Sequence, residues 1–198
     1  MRILTLMFFL FILFTESAFA ITPLNAVTIE QAKLYGATQC KSEFFDFAKP
    51  WCTYEETSIS LDESAEYAHL YTHFLLIAAE ARERAINKTT MQVEDTEKII
   101  TDYVNLLSFS IKLNGDNADF SKGTRAFLKQ GENIIPVIYA NIPEIADKIR
   151  IKNIEGYVAN GYFYFDETKI SKEKPIVLIV LTNDNREHRF FFDLKKIK

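Results

Sequence analysis

The sequence predicts an α+β protein, with an N-terminal helical segment packed on a C-terminal antiparallel β-sandwich of immunoglobulin-like type. Three observations predict it. Residues 62–88 place apolar side chains at helical spacing, and from about residue 106 the apolar period falls to two. Turn residues then recur at intervals of roughly ten residues, as in sandwich folds. No segment between the strand candidates is long enough for a helical crossover, which excludes a doubly wound parallel sheet. The expected organisation is a signal peptide over 1–20, a cysteine-bounded loop plus helical segment over 21–105, and the sandwich over 106–198.

Residues 1–20 read as a secretory signal peptide. Arg2 supplies the positive start, Ile3 to Phe14 form an apolar run broken by Thr5, and Ala18-Phe19-Ala20 is a small-x-small cleavage site. The run is too short to cross a bilayer, which takes about 20 residues. The alternative is an uncleaved anchor, against which the small-residue site argues. No cysteine follows that site, so a lipid anchor there has no support. A mature, exported chain starting at Ile21 is expected, periplasmic in preference to extracellular, with no later transmembrane span. A net charge of −4 lacks the basic footprint of a nucleic-acid binder. A hydrophobic content of 48% excludes a disordered chain.

The elements follow in order. Val27 to Tyr35 predicts a short helix capped by Thr28. Cys40 and Cys52 are the two cysteines of the chain, and export permits a disulfide between them. A structural bridge is preferred over two free thiols. Redox chemistry has no C-x-x-C to support it. Between the cysteines lie Phe44, Phe45, Phe47 and Trp51, with Pro50 opposing a regular element. The expectation is a loop pinned over the core with its rings filling a gap. A loop contacting a partner or membrane is the second reading.

Residues 62–88 predict the main helix, capped by Asp62 or Ser64. Tyr67, Leu70, Tyr71, Phe74, Ala78, Ala81 and Ala85 fall on one stripe. The small Ala78, Ala81 and Ala85 invite close approach of another element. Val93 to Leu107 predicts a second helix with Asp95 as cap, its last turn shared with the first strand. Strands are predicted at 107–113, 124–129, 134–140, 149–154, 156–165, 176–181 and 187–194. Gly131-Glu132-Asn133 and Asn183-Asp184-Asn185 serve as hairpin turns.

Chemistry-bearing patterns are few. On a continuous helix, Glu66, His69 and His73 converge within one face, and imidazole with carboxylate suits zinc. The pattern is not H-E-x-x-H, because Leu70 follows His69, so the base of a metalloprotease is missing. Two surface histidines bonding nearby glutamates is the plainer reading. Asn114 to Asp119 fails the calcium-loop pattern at Ala118. Gly156 and Gly161 lack the lysine of a phosphate loop, and no G-x-S-x-G elbow occurs. Asn87-Lys88-Thr89 fits a glycosylation sequon, read as chance. No cofactor motif is found, and an enzyme is disfavoured.

In Gly161-Tyr162-Phe163-Tyr164-Phe165 the tyrosines share one strand face and the phenylalanines the other. Tyr162 and Tyr164, with Tyr157, are expected to form an exposed aromatic strip, and Phe44, Phe45 and Phe47 a second candidate surface. Phe191 alternates with Phe190 and Phe192, so one side of the last strand needs a cover; the helices are the first choice. The function this predicts is an exported, non-catalytic binding or accessory module of the cell envelope, its partner another envelope protein or a surface polymer. The alternative is a small zinc-binding protein using Glu66, His69 and His73.

Overall fold

The computed structural model describes residues 21, 24–151 and 154–197. The expected signal peptide lies outside the described residues.

Helix α1 (Ala26–Thr38) begins two residues before Thr28. Asn25 Oδ1 accepts from the Val27 and Thr28 amides, and Thr28 Oγ1 accepts from the Asn25 amide at 2.8 Å. Thr28 is therefore the returning arm of a capping box rather than its cap. Near its other end, α1 packs on α3 (His73–Ile86) through Gly36. A Cβ at Gly36 would stand 2.1 Å from the Ala78 carbonyl oxygen, so glycine is required by contact rather than by conformation. Ala78 and Ala81 are buried opposite it, as their small size led one to expect.

The expected 62–88 helix divides. Asp62 to Ser64 form a turn, with the Ser64 amide donating to Asp62 Oδ1 at 2.8 Å. Tyr67–Tyr71 is strand β2, Thr72 caps α3 by accepting from the Leu75 amide, and the helix starts only at His73. The physical reason is that Tyr67-Ala68-His69-Leu70-Tyr71 satisfies both periods. Read at period two, Ala68 and Leu70 point to the core and the aromatic residues point away. Tyrosine favours the pleated surface, and a short apolar run cannot decide by spacing alone.

Ahead of β2, Phe44–Ala48 forms the short helix α2, and a 3-10 turn leads into β1 (Cys52–Tyr54). Cys40 and Cys52 are free thiols, which corrects the expected bridge. Other contacts hold the loop. Tyr35 Oη donates to the Phe47 carbonyl at 2.8 Å, Arg82 donates to the Ser42 carbonyl, and Trp51 stacks on Phe74 at 5.8 Å. Phe47 and Trp51 fill the core as expected. After α3, α4 (Val93–Asp102) is capped by Gln92, whose amide donates to Asp95 Oδ2 at 2.9 Å. Asp95 is thus the partner of the cap, and Leu106 and Leu107 belong to the next strand.

Eight further strands follow: β3 (Leu106–Gly115), β4 (Arg125–Gln130), β5 (Asn133–Pro136), β6 (Tyr139–Asn141), β7 (Asp147–Ile151), β8 (Ile154–Asp166), β9 (Ile176–Leu181) and β10 (Glu187–Phe192). They confirm the α+β class with two antiparallel sheets. One sheet runs β1-β2-β3-β8-β6, with β7 also on β8; the other runs β10-β9-β4-β5. The immunoglobulin strand order is not reproduced, because β3 pairs along its whole length with β8. Since β1 and β2 pair into the first sheet, that sheet crosses position 105/106. The expected 134–140 strand is broken after Pro136, which offers no amide, and the chain passes from one sheet to the other. Gly131 and Asn185 turn their hairpins at positive φ, +60° and +63°.

The inner faces meet through Phe109, 5.6 Å from Phe165 and 5.3 Å from Phe192. The sheets also meet at both sides. Glu55 bridges to Phe190 and the Glu56 amide donates to the Arg189 carbonyl at 2.9 Å, joining β1 to β10. On the other side the chain itself links β5 to β6. Phe191 points outward and is 56% exposed, so the expected helical cover does not reach it.

Candidate functional site: the tyrosine face of the larger sheet

Strand pleating assigns the outer face of the larger sheet. Side chains alternate, and the ladder register sets Cys52 opposite His69, Tyr54 opposite Tyr67, His69 opposite Ser110 and Tyr71 opposite Ser108. The same face continues through Ser108 opposite Tyr164 and Ser110 opposite Tyr162, then Tyr139 opposite Tyr164 on β6. Tyr54, Tyr67, Tyr71, Tyr139, Tyr162 and Tyr164, six of the nine tyrosines, therefore share one side of one sheet. Cover diminishes across it. Tyr67 and Tyr71 on β2 are half-buried, whereas Tyr162 is 44% and Tyr139 60% exposed. Tyr139 and Tyr164 lie 5.7 Å apart, centroid to centroid.

Burial pushes the Tyr71 phenol up to about 12, against the effect of a hydrogen bond with Ser110. Tyr67 and Tyr164 are raised for the same first reason, with neighbouring phenols adding to the effect. These hydroxyls stay protonated at neutral pH and can both donate and accept. Lys112 Nζ sits 5.6 Å above the Tyr67 ring and donates to the Glu63 carbonyl.

His69 lies at the covered end. The rings of Tyr67, Phe45 and Phe44 surround it at 5.0, 6.1 and 6.3 Å, each edge-on. It is 3% exposed, and its Nε2 has no hydrogen-bond partner. Burial lowers its pKa to about 4, so the ring is neutral at neutral pH. Cys52, opposite it, directs Sγ towards the Thr53 carbonyl at 3.9 Å, and burial pushes its thiol up to about 12. A thiol so held is protonated and is not a nucleophile.

The three residues of the expected zinc face are dispersed. Glu66 precedes β2, His69 sits within β2, and His73 opens α3, so no common helical face exists. Among the described residues no group of three or more such side chains is placed to hold a metal ion. Glu66 instead joins the two sheets. Its Oε2 lies 3.0 Å from His188 Nδ1, and its Oε1 accepts from the Asn114 amide at 2.9 Å. His188 Nε2 lies 3.2 Å from Thr182 Oγ1, which donates to Asp184 at 2.6 Å. Burial acts to raise the Glu66 carboxyl, but His188, the Asn114 amide and Arg186 together hold it below the usual range. The order carboxylate, imidazole, hydroxyl resembles a hydrolase relay, yet Thr182 is buried and committed to Asp184. The arrangement is a latch, not a nucleophile.

Of the expected binding residues, Tyr162 and Tyr164 stand on the outer face, and Phe44 and Phe45 edge its covered end. Tyr157 falls on the opposite face of β8 and packs against the core. Phe47 is buried beneath Arg82, whose guanidinium carbon lies 5.5 Å from the ring centroid. Sequence reasoning missed Tyr54, Tyr67, Tyr71 and Tyr139. The available signal was the alternation Tyr-x-His-x-Tyr over 67–71.

No family model matches the chain, and no curated protein matches it. Two solved structures do. A protein of unknown function from Burkholderia pseudomallei is 11% identical with a TM-score of 0.44, covering 88% of this chain and 95% of its own. The archaellum periplasmic stator protein FlaG from Sulfolobus acidocaldarius is 10% identical with a TM-score of 0.29, covering 44% of this chain and 86% of its own. Neither likeness assigns a function.

Proposed function

We propose that the chain is an exported, non-catalytic binding module of the cell envelope, and that it binds through the outer tyrosine face of its larger sheet. The observation that carries this reading is the gathering of six tyrosines on one side of that sheet, open at the Tyr139–Tyr162 end. Tyrosine supplies large contact area at low entropic cost and a hydroxyl for orientation, which suits a polymer chain or a partner protein. The leader-like residues 1–20 support export, with the periplasm as the expected compartment. The depressed basicity of His69 and the raised thiol of Cys52 leave this face without an evident base or nucleophile.

The test is capture by crosslinking of the tagged protein in its native envelope. A defined partner should be lost in the Tyr139→Ala/Tyr162→Ala double variant and retained in Phe191→Ala on the opposite sheet. Capture that is the same in both variants places the interface elsewhere and ends the reading.

A further inference from the structure

A cleft of about 230 Å³ opens where the start of α3 meets the residues after α4 and the turn after β8. Its polar wall consists of His73, Asn105, Glu167 and Lys172; Ile21, Leu24, Ile100 and Val104 form the apolar wall. Lys172 Nζ lies 2.9 Å from a Glu167 carboxylate that is largely buried. Asn105 adopts the left-handed region at φ +59°, and its carbonyl accepts from the Glu167 amide at 2.9 Å, which fixes the turn that carries the carboxylate. Burial lowers the His73 pKa; Lys172 acts the same way, while Glu167 and a hydrogen bond to the Tyr103 backbone oppose it. The imidazole is a neutral hydrogen-bonding group at neutral pH. Val104 is 57% exposed, apolar surface left without protein cover beside these charges.

We propose that this cleft binds a free α-amino acid with an aliphatic side chain. The ammonium and carboxylate of such a ligand flank one carbon, so their spacing suits a head-to-tail fit on the Lys172–Glu167 pair. The ammonium faces Glu167, the carboxylate faces Lys172, and the side chain covers Ile100 and Val104, with the neutral His73 ring lining the cleft beside them. A site of this charge pattern is balanced overall and favours a zwitterion over a simple anion or cation. Its volume falls below the roughly 300–1,000 Å³ of drug-sized sites, which suits a ligand as small as one amino acid.

The probe is L-leucine, titrated into the purified protein by calorimetry and by magnetic resonance of the histidine rings. Two analogues accompany it: 4-methylpentanoate, which lacks the ammonium, and 3-methylbutylamine, which lacks the carboxylate. Leucine is expected to bind saturably and to shift the His73 resonances. Each analogue is expected to bind at least about tenfold more weakly, the effect of losing one charge-assisted hydrogen bond. Glu167→Gln should lose a similar factor, and Tyr162→Ala should lose none. The proposal is overturned if folded protein shows no saturable binding, if His73 does not move, or if both analogues bind as well as leucine. Full affinity in folded Glu167→Gln overturns it equally. Should that variant not fold, the analogue series on the unaltered protein decides.

Discussion

His69 and His188 are equally buried, each 3% exposed, and their surroundings are opposite. Both ring nitrogens of His188 have polar partners, Glu66 and Thr182. His69 has three aromatic rings around it and an Nε2 without a partner. The first tethers one sheet to the other. The second sits beneath the covered end of the tyrosine face and contributes shape rather than polarity. Burial alone therefore says little about what a polar side chain does; its partners decide.

The largest expected effect comes from lowering the pH. The His69 ring ionises near 4 in the fold and near 6.5 when unfolded, so its contribution is complete above 6.5 and is lost as the pH falls from 6.5 towards 4. The loss amounts to about 3 kcal/mol at roughly 1.4 kcal/mol per pH unit. His73 is lowered too and loses stability in the same direction. Glu66, held below the ordinary carboxylate range, contributes above its unfolded pKa and is lost only at lower pH, as the pH falls through its folded pKa. Urea unfolding across pH should show less loss between 6.5 and 4 in His69→Phe, with the more acidic loss unchanged. An unaltered upper window in that variant breaks the contrast.

Removing the latch comes next. Glu66→Ala leaves His188 Nδ1 and the Asn114 amide without their carboxylate, and should cost about 2–3 kcal/mol in urea unfolding at neutral pH. His69→Phe at the same pH should go the other way, stabilising by about 1 kcal/mol, because it removes an unpartnered buried nitrogen and keeps an aromatic ring. If both substitutions destabilise equally, the distinction between the two histidines fails. The smallest effect belongs to Tyr139→Ala and Tyr162→Ala, each within about 0.5 kcal/mol of the unaltered protein. Their thermal unfolding should barely move while binding at the face is lost.

The strands after residue 106 were legible because their apolar residues alternate and their turns carry Gly131 and Asn185. The close approach on α3 was legible from Ala78 and Ala81, although the glycine that meets them was not, since nothing local marks Gly36. Residues 67–71 were misread because five residues can satisfy two periods at once, and tertiary pairing with β3 decides between them. That one misreading hid Tyr67 and Tyr71, half of the tyrosines the sequence did not place on the face. The Glu66–His188 pair spans 122 positions and leaves no local trace. Only strand order brings such residues together.

The passage of the chain from β5 to β6 and the contact of β1 with β10 have a joint consequence for solubility. An edge strand offers a row of unpaired backbone groups to a second molecule. Here the β10 rim is occupied in part by Glu55 and Glu56, and β5 ends at Pro136, where the backbone has no amide to give. At the β10 margin of the smaller sheet backbone contact replaces an open rim, and at β5 a proline shortens it, so both ends of that sheet offer a second molecule less ladder than their length implies.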